Sequence, residues 1–181
     1  MKCVVIYWSK TGNTRQVAFA VRDGLVEAGA VVDLKTVDEA QDTDFFAYDL
    51  VCLGTPSHNW RPAEPVDRFL KDRFAAYRRE GRVKLGAPRV PRKYALLFCT
   101  YSGPHTGLAE AVPVGKYMGQ FFDHLGFLVL DEWYVLSEFH GSEDNSTKGR
   151  MGDIRGLPTA QDLEEIRNKT KKLYLDITEV S

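Results

Sequence analysis

The sequence predicts a single α/β domain, an open doubly wound parallel sheet of five strands with helices on both faces. Three observations carry this expectation. Strand-like apolar runs alternate with amphipathic helical stretches along the whole chain. Crossovers between parallel strands are almost always right-handed, so such a series most simply closes into one sheet covered on both sides. Two of the runs, 3–8 and 50–54, are continuously apolar, as strands buried on both faces should be. The 181 residues and 44% hydrophobic content also suit one core, since single domains commonly run about 100 to 200 residues.

The elements follow in order. The first strand is Cys3 to Trp8, and a polar loop follows it at once. From Thr14 a helix is predicted by Val17, Ala18, Val21, Leu25 and Ala28, with Gly29 as its stop. Val31 to Val37 mixes apolar residues with Asp33 and Lys35, the partial alternation of a strand near a sheet edge. An acidic connection, 38–49, leads to the third strand at Leu50–Gly54. Arg61 to Glu80 carries Val66, Phe69, Leu70, Phe74 and Tyr77 on one face of a helix, with Pro62 and Pro65 expected in its first turn and Gly81 ending it. Tyr94–Cys99 is the fourth strand, Glu110–Leu125 a helix opening with Pro113, and Phe127–Val135 the fifth strand. The closing helix starts at Thr159, with Asp162 placed as the acidic member of a capping box. Leu163, Ile166, Leu173 and Ile177 line its apolar face.

Two segments depart from the alternation. Between 71 and 93, nine Lys/Arg stand against Asp72 and Glu80, a local +7 in a chain of net charge -1; this stretch is expected to be a basic connection. The segment 138–158 is long, polar and glycine-spaced, without helical or strand period, and is expected to be a loop. Glu138, His140, Glu143 and Asp144 cluster there without metal-ligand spacing.

With a pI near 6.4, no overall field draws the chain to nucleic acid or an anionic membrane. No stretch is long enough to span a bilayer, and the apolar run 3–8 is too short for a signal peptide. Cys3, Cys52 and Cys99 are scattered and odd in number, which argues against a disulfide framework and for a cytoplasmic protein. Cys99 is expected to be a small buried hydrophobe.

The chemistry concentrates in Ser9-Lys10-Thr11-Gly12-Asn13-Thr14. Where a buried strand runs into such a loop and then a helix, backbone N–H groups lack intrahelical partners and invite an anion. Hydroxyls of Ser9, Thr11 and Thr14 add donors, and Gly12 lets the backbone wrap closely. The nucleotide-binding patterns G-x-x-x-x-G-K-[ST] and G-x-G-x-x-G are absent, so a phosphomonoester fits better.

Ser9-x-Thr11-Gly12-x-Thr14 after the first strand resembles the phosphate loop [ST]-x-T-G-x-T of flavodoxins and related FMN proteins, and the resemblance covers essentially the whole chain. It implies strand order 2-1-3-4-5 and non-covalent FMN at the switch point between the first and third strands. It further implies that the loops Thr55-Pro56-Ser57-His58-Asn59-Trp60 and Thr100-Tyr101-Ser102-Gly103-Pro104-His105-Thr106-Gly107 sandwich the isoalloxazine ring. Trp60 and Tyr101 offer aromatic faces for stacking, the alternative being that they pack on the core. Gly103 and Gly107 allow close approach of the backbone. His58 and His105 are candidates to hydrogen-bond flavin or donate a proton, or are solvated loop histidines.

Electron-shuttling members of the family are typically strongly acidic, and this chain is not. Its basic run could meet an acidic redox partner protein, hold the phosphates of NAD(P)H if it folds toward the flavin, or be a solvated connection. The 138–158 segment could close over the ring as a lid or be disordered. The expectation is therefore an FMN-binding redox protein acting in electron transfer. The alternatives are an NAD(P)H-dependent oxidoreductase acting on quinones or free flavin and a cofactor-free flavodoxin-like binding module. A homodimer remains open.

Overall fold

The computed structural model describes residues 1–179; positions 180 and 181 of the predicted domain lie outside the described residues. Five parallel strands run in the order β2-β1-β3-β5-β6: β1 (Lys2–Tyr7), β2 (Val31–Thr36), β3 (Leu50–His58), β5 (Tyr94–Tyr101) and β6 (Leu128–Leu136), with the two-residue β4 (Arg61–Pro62) pairing antiparallel to the end of β3. Setting β4 aside, this is the flavodoxin-like order. The edge strands β2 and β6 are mostly half-buried, whereas β1, β3 and β5 are almost wholly buried, as their unbroken apolar runs require.

The pleat sorts side chains onto two cores. On one face Val4, Ile6, Val51, Leu53 and Leu97 meet Val66, Phe69 and Leu70 of α2 (Glu64–Arg79) and Val114, Met118 and Phe122 of α3 (Val112–His124). On the other face Cys3, Val5, Cys52, Leu96 and Phe98 meet Val17, Val21 and Leu25 of α1 (Asn13–Glu27) and Tyr174 of α5 (Ala160–Glu179). Gly24 lets α1 and α5 approach, since a Cβ there would lie 2.3 Å from the Arg167 carbonyl oxygen. Phe45, in a short 3₁₀ turn after β2, packs among Phe69, Tyr77, Phe121 and Phe122.

Several sequence expectations need correction. The segment 55–60 is not a free loop. β3 continues through His58 and turns back at Asn59–Trp60 into β4, so Pro62 is strand rather than helix and only Pro65 sits in the first turn of α2. Both turn residues have positive φ, 50° and 63°, the backbone of a tight hairpin whose twist matches the strands. The basic stretch 71–93 is not all connection, because residues 71–79 belong to α2. The remainder, 80–93, lies beneath the sheet at the strand N-termini, where Val90 N–H donates to Gly126 O just before β6. The segment 138–158 contains a short helix, α4 (Glu143–Thr147), capped by Ser142.

The capping box is present as predicted. Thr159 N–H and Oγ1 both donate to Asp162 Oδ2 at 2.7 Å, while Asp162 N–H donates to Thr159 Oγ1 at 3.1 Å.

Candidate functional site

A cleft of about 590 Å³ opens at the carboxyl ends of β1, β3, β5 and β6, the end of an open parallel sheet where ligands bind. Its floor is the turn from β1 into α1. Gly12 precedes the helix at φ 111° and donates its N–H to Ser9 Oγ at 3.1 Å. No side chain caps α1, and Gln16 N–H is the first to join the ladder, on Gly12 O at 3.0 Å. The amides of Asn13, Thr14 and Arg15 are left without intrahelical acceptors, with Asn13 and Thr14 lining the cleft. Thr14 and Thr100, 1% and 3% exposed, share a hydrogen bond of 2.7 Å between their hydroxyl oxygens. One hydroxyl hydrogen closes that bond, and the other is available to a ligand.

One wall is the β3–β4 hairpin. Pro56, Ser57, His58, Asn59 and Trp60 line the cleft. Ser57 Oγ donates to Glu110 O at 2.6 Å, tying the hairpin to the turn ahead of α3. His58 packs edge-on against Trp8, with ring centroids 5.8 Å apart. Burial, together with the Lys10 charge, lowers its pKa, so its ring is disposed to be neutral. Trp60 is 61% exposed at the hairpin tip, held in a backbone conformation that bulky residues rarely adopt.

The opposite wall is the β5–α3 loop. Thr100, Tyr101, Ser102, Gly103, Pro104 and His105 line the cleft. Glu110 Oε1 accepts from the N–H groups of His105 and Thr106 at 2.8 and 2.7 Å and fixes the loop's curvature. Tyr101 is only 8% exposed and packs in the core on the α2–α3 face, so it presents little open ring surface to the cleft.

Three predicted contacts, Gly12, Thr55 and Gly107, are not among the residues lining the cleft. Thr55 is fully buried; its Oγ1 accepts from Ala63 N–H at 3.0 Å and donates to Pro56 O at 3.1 Å, which braces the hairpin from behind. Gly107 faces away from the cleft, where the missing side chain leaves room for Met151. The requirement at Gly103 is likewise internal, because a Cβ would lie 2.7 Å from Gly107 Cα.

The sequence reading did not name Glu110 and Ser137 among the lining residues, and it took the segment 138–158 only as a lid or disordered loop, without singling out Glu138, Phe139, His140 and Asn145 for the cleft. Most come from the segment after β6, whose position at the carboxyl end of the last strand was the available signal. That segment is a folded wall. Phe139 N–H donates to Ser146 Oγ at 3.1 Å, Ile154 N–H to Ser146 O at 2.8 Å, and Gly156 N–H to Glu138 Oε2 at 2.9 Å. Arg150 N–H joins it to the opposite wall at Pro104 O, 2.8 Å. Asn13 Nδ2 donates to Glu138 O at 3.0 Å, joining it to the floor.

The basic stretch does not reach this cleft. It lines a separate hollow of about 450 Å³ with Arg82, Lys84, Arg89 and His124 at the other end of the sheet. Arg82 pairs with Asp44 and Glu80, Arg89 with Asp123, and Lys93 with Asp49. The direction of α2 explains this: a crossover helix leaving the carboxyl end of β3 returns the chain to the amino end of β5. None of the nine Lys/Arg of this run lines the cleft. Among the described residues, no helix is long and apolar enough to cross a membrane.

Residues 5–88 match the family model described as Flavodoxin. A curated relative, a flavodoxin of Aquifex aeolicus (strain VF5), is 36% identical over 72 residues, which span 39% of this chain and 39% of the relative. Among solved structures, a Streptococcus pneumoniae TIGR4 flavodoxin superposes with a TM-score of 0.67, covering 97% of this chain and 99% of the other. A flavodoxin, WrbA-like protein from Agrobacterium tumefaciens gives 0.63 over 98% of each chain. Both are 16% identical to this chain and establish likeness of fold.

Proposed function

We propose that this chain is a flavodoxin-family protein that binds FMN non-covalently in the cleft above β1 and acts as an electron-transfer flavoprotein, a reading supported by the match of residues 5–88 to the flavodoxin family model and by likeness of fold over nearly the whole length. The observation that carries this reading is the start of α1: an uncapped helix N-terminus behind a left-handed glycine, with a buried hydroxyl pair beside it. Unpaired backbone N–H groups with hydroxyls beside them are the donor set of a phosphomonoester site. The cleft volume also falls in the range of cofactor sites, about 300 to 1,000 Å³.

When bound, FMN supplies reversible one- and two-electron transfer. The chain's own residues would do the rest. Ser9, Thr11, Asn13 and Thr14 would hold the phosphate, with Lys10 the flanking cation. The hairpin 56–60 and the loop 100–103 would flank the ring, with Trp60 as the stacking face at the solvent edge. The donor and acceptor would be a redox partner protein or a small molecule meeting that edge. The three buried free cysteines agree with a reducing, cytoplasmic setting.

The folded wall 137–157 favours a second reading, an NAD(P)H-dependent quinone or flavin reductase, because a walled cleft excludes water around a small substrate. Steady-state NADPH oxidation with a quinone separates the two: the carrier reading expects no turnover. The cofactor reading is tested by the spectrum of the purified protein and by quenching of FMN fluorescence on titration. A colourless protein that leaves FMN fluorescence unchanged overturns it and favours a cofactor-free binding module.

A further inference from the structure

We propose that His140 is a second side-chain cation of the phosphate subsite, which strengthens FMN binding when its ring is protonated; this rests on the FMN reading above. The phosphate loop carries one side-chain cation, Lys10, which lies toward the ring side, close enough to His58 to depress its pKa. The other flank is taken by the segment after β6. His140 lines the cleft there, with Nε2 3.3 Å from Asn13 Oδ1. Asn13 is the first residue of α1, and its backbone amide is among those left for an anion.

The hydrogen-bond inventory orients the pair. Asn13 Nδ2 donates to Glu138 O at 3.0 Å, so Asn13 Oδ1 is the atom facing the imidazole, and Nε2 must carry a proton to meet it. The other ring nitrogen, Nδ1, lies 3.9 Å from Glu138 Oε1. Both neighbours are acceptors, which suits a ring protonated at both nitrogens. Such a ring places a positive charge one side chain away from the start of α1.

Other charges share this neighbourhood. Glu138 also accepts from Gly156 N–H, Glu143 pairs with Arg155, and Arg155 pairs with Asp153. Arg15 lies beside Gly12, and Glu110 is committed to the amides of His105 and Thr106. Carboxylates and arginines ordinarily hold their charge between about pH 5.5 and 8, where histidine changes its own. His58 and His105 border the ring side of the cleft, so riboflavin, which lacks the phosphate, reports their effects separately.

The test measures FMN and riboflavin affinity by fluorescence quenching at about pH 5.5 and 8, at constant ionic strength, for the wild type, His140→Gln and His140→Lys. The second ionisation of the phosphate, near pH 6, strengthens binding as pH rises. The ratio between proteins removes that contribution. The wild type should bind FMN about 3- to 10-fold more tightly than His140→Gln at the lower pH and equally at the higher, the size expected of one partly solvated charge. His140→Lys should keep the advantage at both. Riboflavin affinity should be the same for all three. A wild-type to His140→Gln ratio that does not change with pH, or one that riboflavin reproduces, overturns the role of His140 while leaving the cofactor reading standing. Failure of the wild type to bind FMN at either pH overturns the cofactor reading, and this inference with it.

Discussion

The hydroxyl oxygens of Thr14 and Thr100 lie 2.7 Å apart, buried between the first turn of α1 and the end of β5. Removing one partner strands the other, and an unsatisfied buried hydroxyl costs about 1 to 3 kcal/mol. Thr14→Val should therefore destabilise the protein by that amount in urea denaturation. Thr14→Val combined with Thr100→Val, which leaves no orphan, should recover most of the loss. FMN affinity should be weakened in the double variant, with riboflavin affinity little changed, because both hydroxyls are gone, whereas in Thr14→Val the Thr100 hydroxyl still has a hydrogen to offer. A double variant that binds FMN like the wild type would remove the pair from the phosphate site.

Trp60 presents the opposite balance of stability and binding. Its φ of 63° in the Asn59–Trp60 turn costs a bulky residue about 1 kcal/mol, whereas Asn-Gly is the preferred sequence for that turn. Trp60→Gly should raise the unfolding free energy by about 1 kcal/mol and weaken flavin binding by about the worth of one stacking contact, roughly 1 kcal/mol. FMN and riboflavin should lose affinity equally, in contrast to the double threonine variant. A variant both less stable and unaltered in flavin affinity would show that Trp60 serves the turn alone.

These two sites differ in how far the sequence disclosed them. The loop 9–14 is local: a buried strand, a glycine and a helix start are neighbours in the chain, so the anion site could be read directly. The capping box at Thr159 and Asp162 was legible for the same reason. The hairpin was hidden because Asn59-Trp60 lacks the glycine that ordinarily announces a two-residue turn. The wall 138–158 lacked periodicity because it folds through single long-range contacts, such as Gly149 against Pro104 and Asn13 against Glu138. The place of the basic stretch was implied by topology, since the chain leaving α2 must restart at the amino end of β5. Charge alone could not supply it.

Gly54 tests the packing beneath the cleft. A Cβ at this position of β3 would lie 1.9 Å from Phe98 Cε2 and 2.1 Å from Cζ on the neighbouring strand. Phe98 is fully buried and a close-packed interior leaves its ring little room to yield. Gly54→Ala should therefore cost at least the overpacking penalty of about 1 to 3 kcal/mol, read as a lower urea midpoint. Gly54→Ala with Phe98→Leu should be more stable than Gly54→Ala alone, since it shortens the colliding ring. A single variant as stable as the wild type would show that the ring moves freely.

Cys3, Cys52 and Cys99 are buried in the sheet, and burial raises all three thiols: Cys3 to about 12, with Cys52 and Cys99 also well up. Each is raised above its unfolded value of about 8.5, so unfolding releases protons once the pH exceeds that value. Their contribution to stability should be complete below about pH 8.5 and decline as pH climbs from there toward the folded-state values. Burial should also shield the sulfurs from reagents, because only the thiolate reacts readily. A chromogenic disulfide reagent at neutral pH should find no reactive thiol in the native protein and three in urea. Rapid labelling of a native thiol would mean that the strand carrying it opens without global unfolding, and peptide mapping of the labelled site would identify which one.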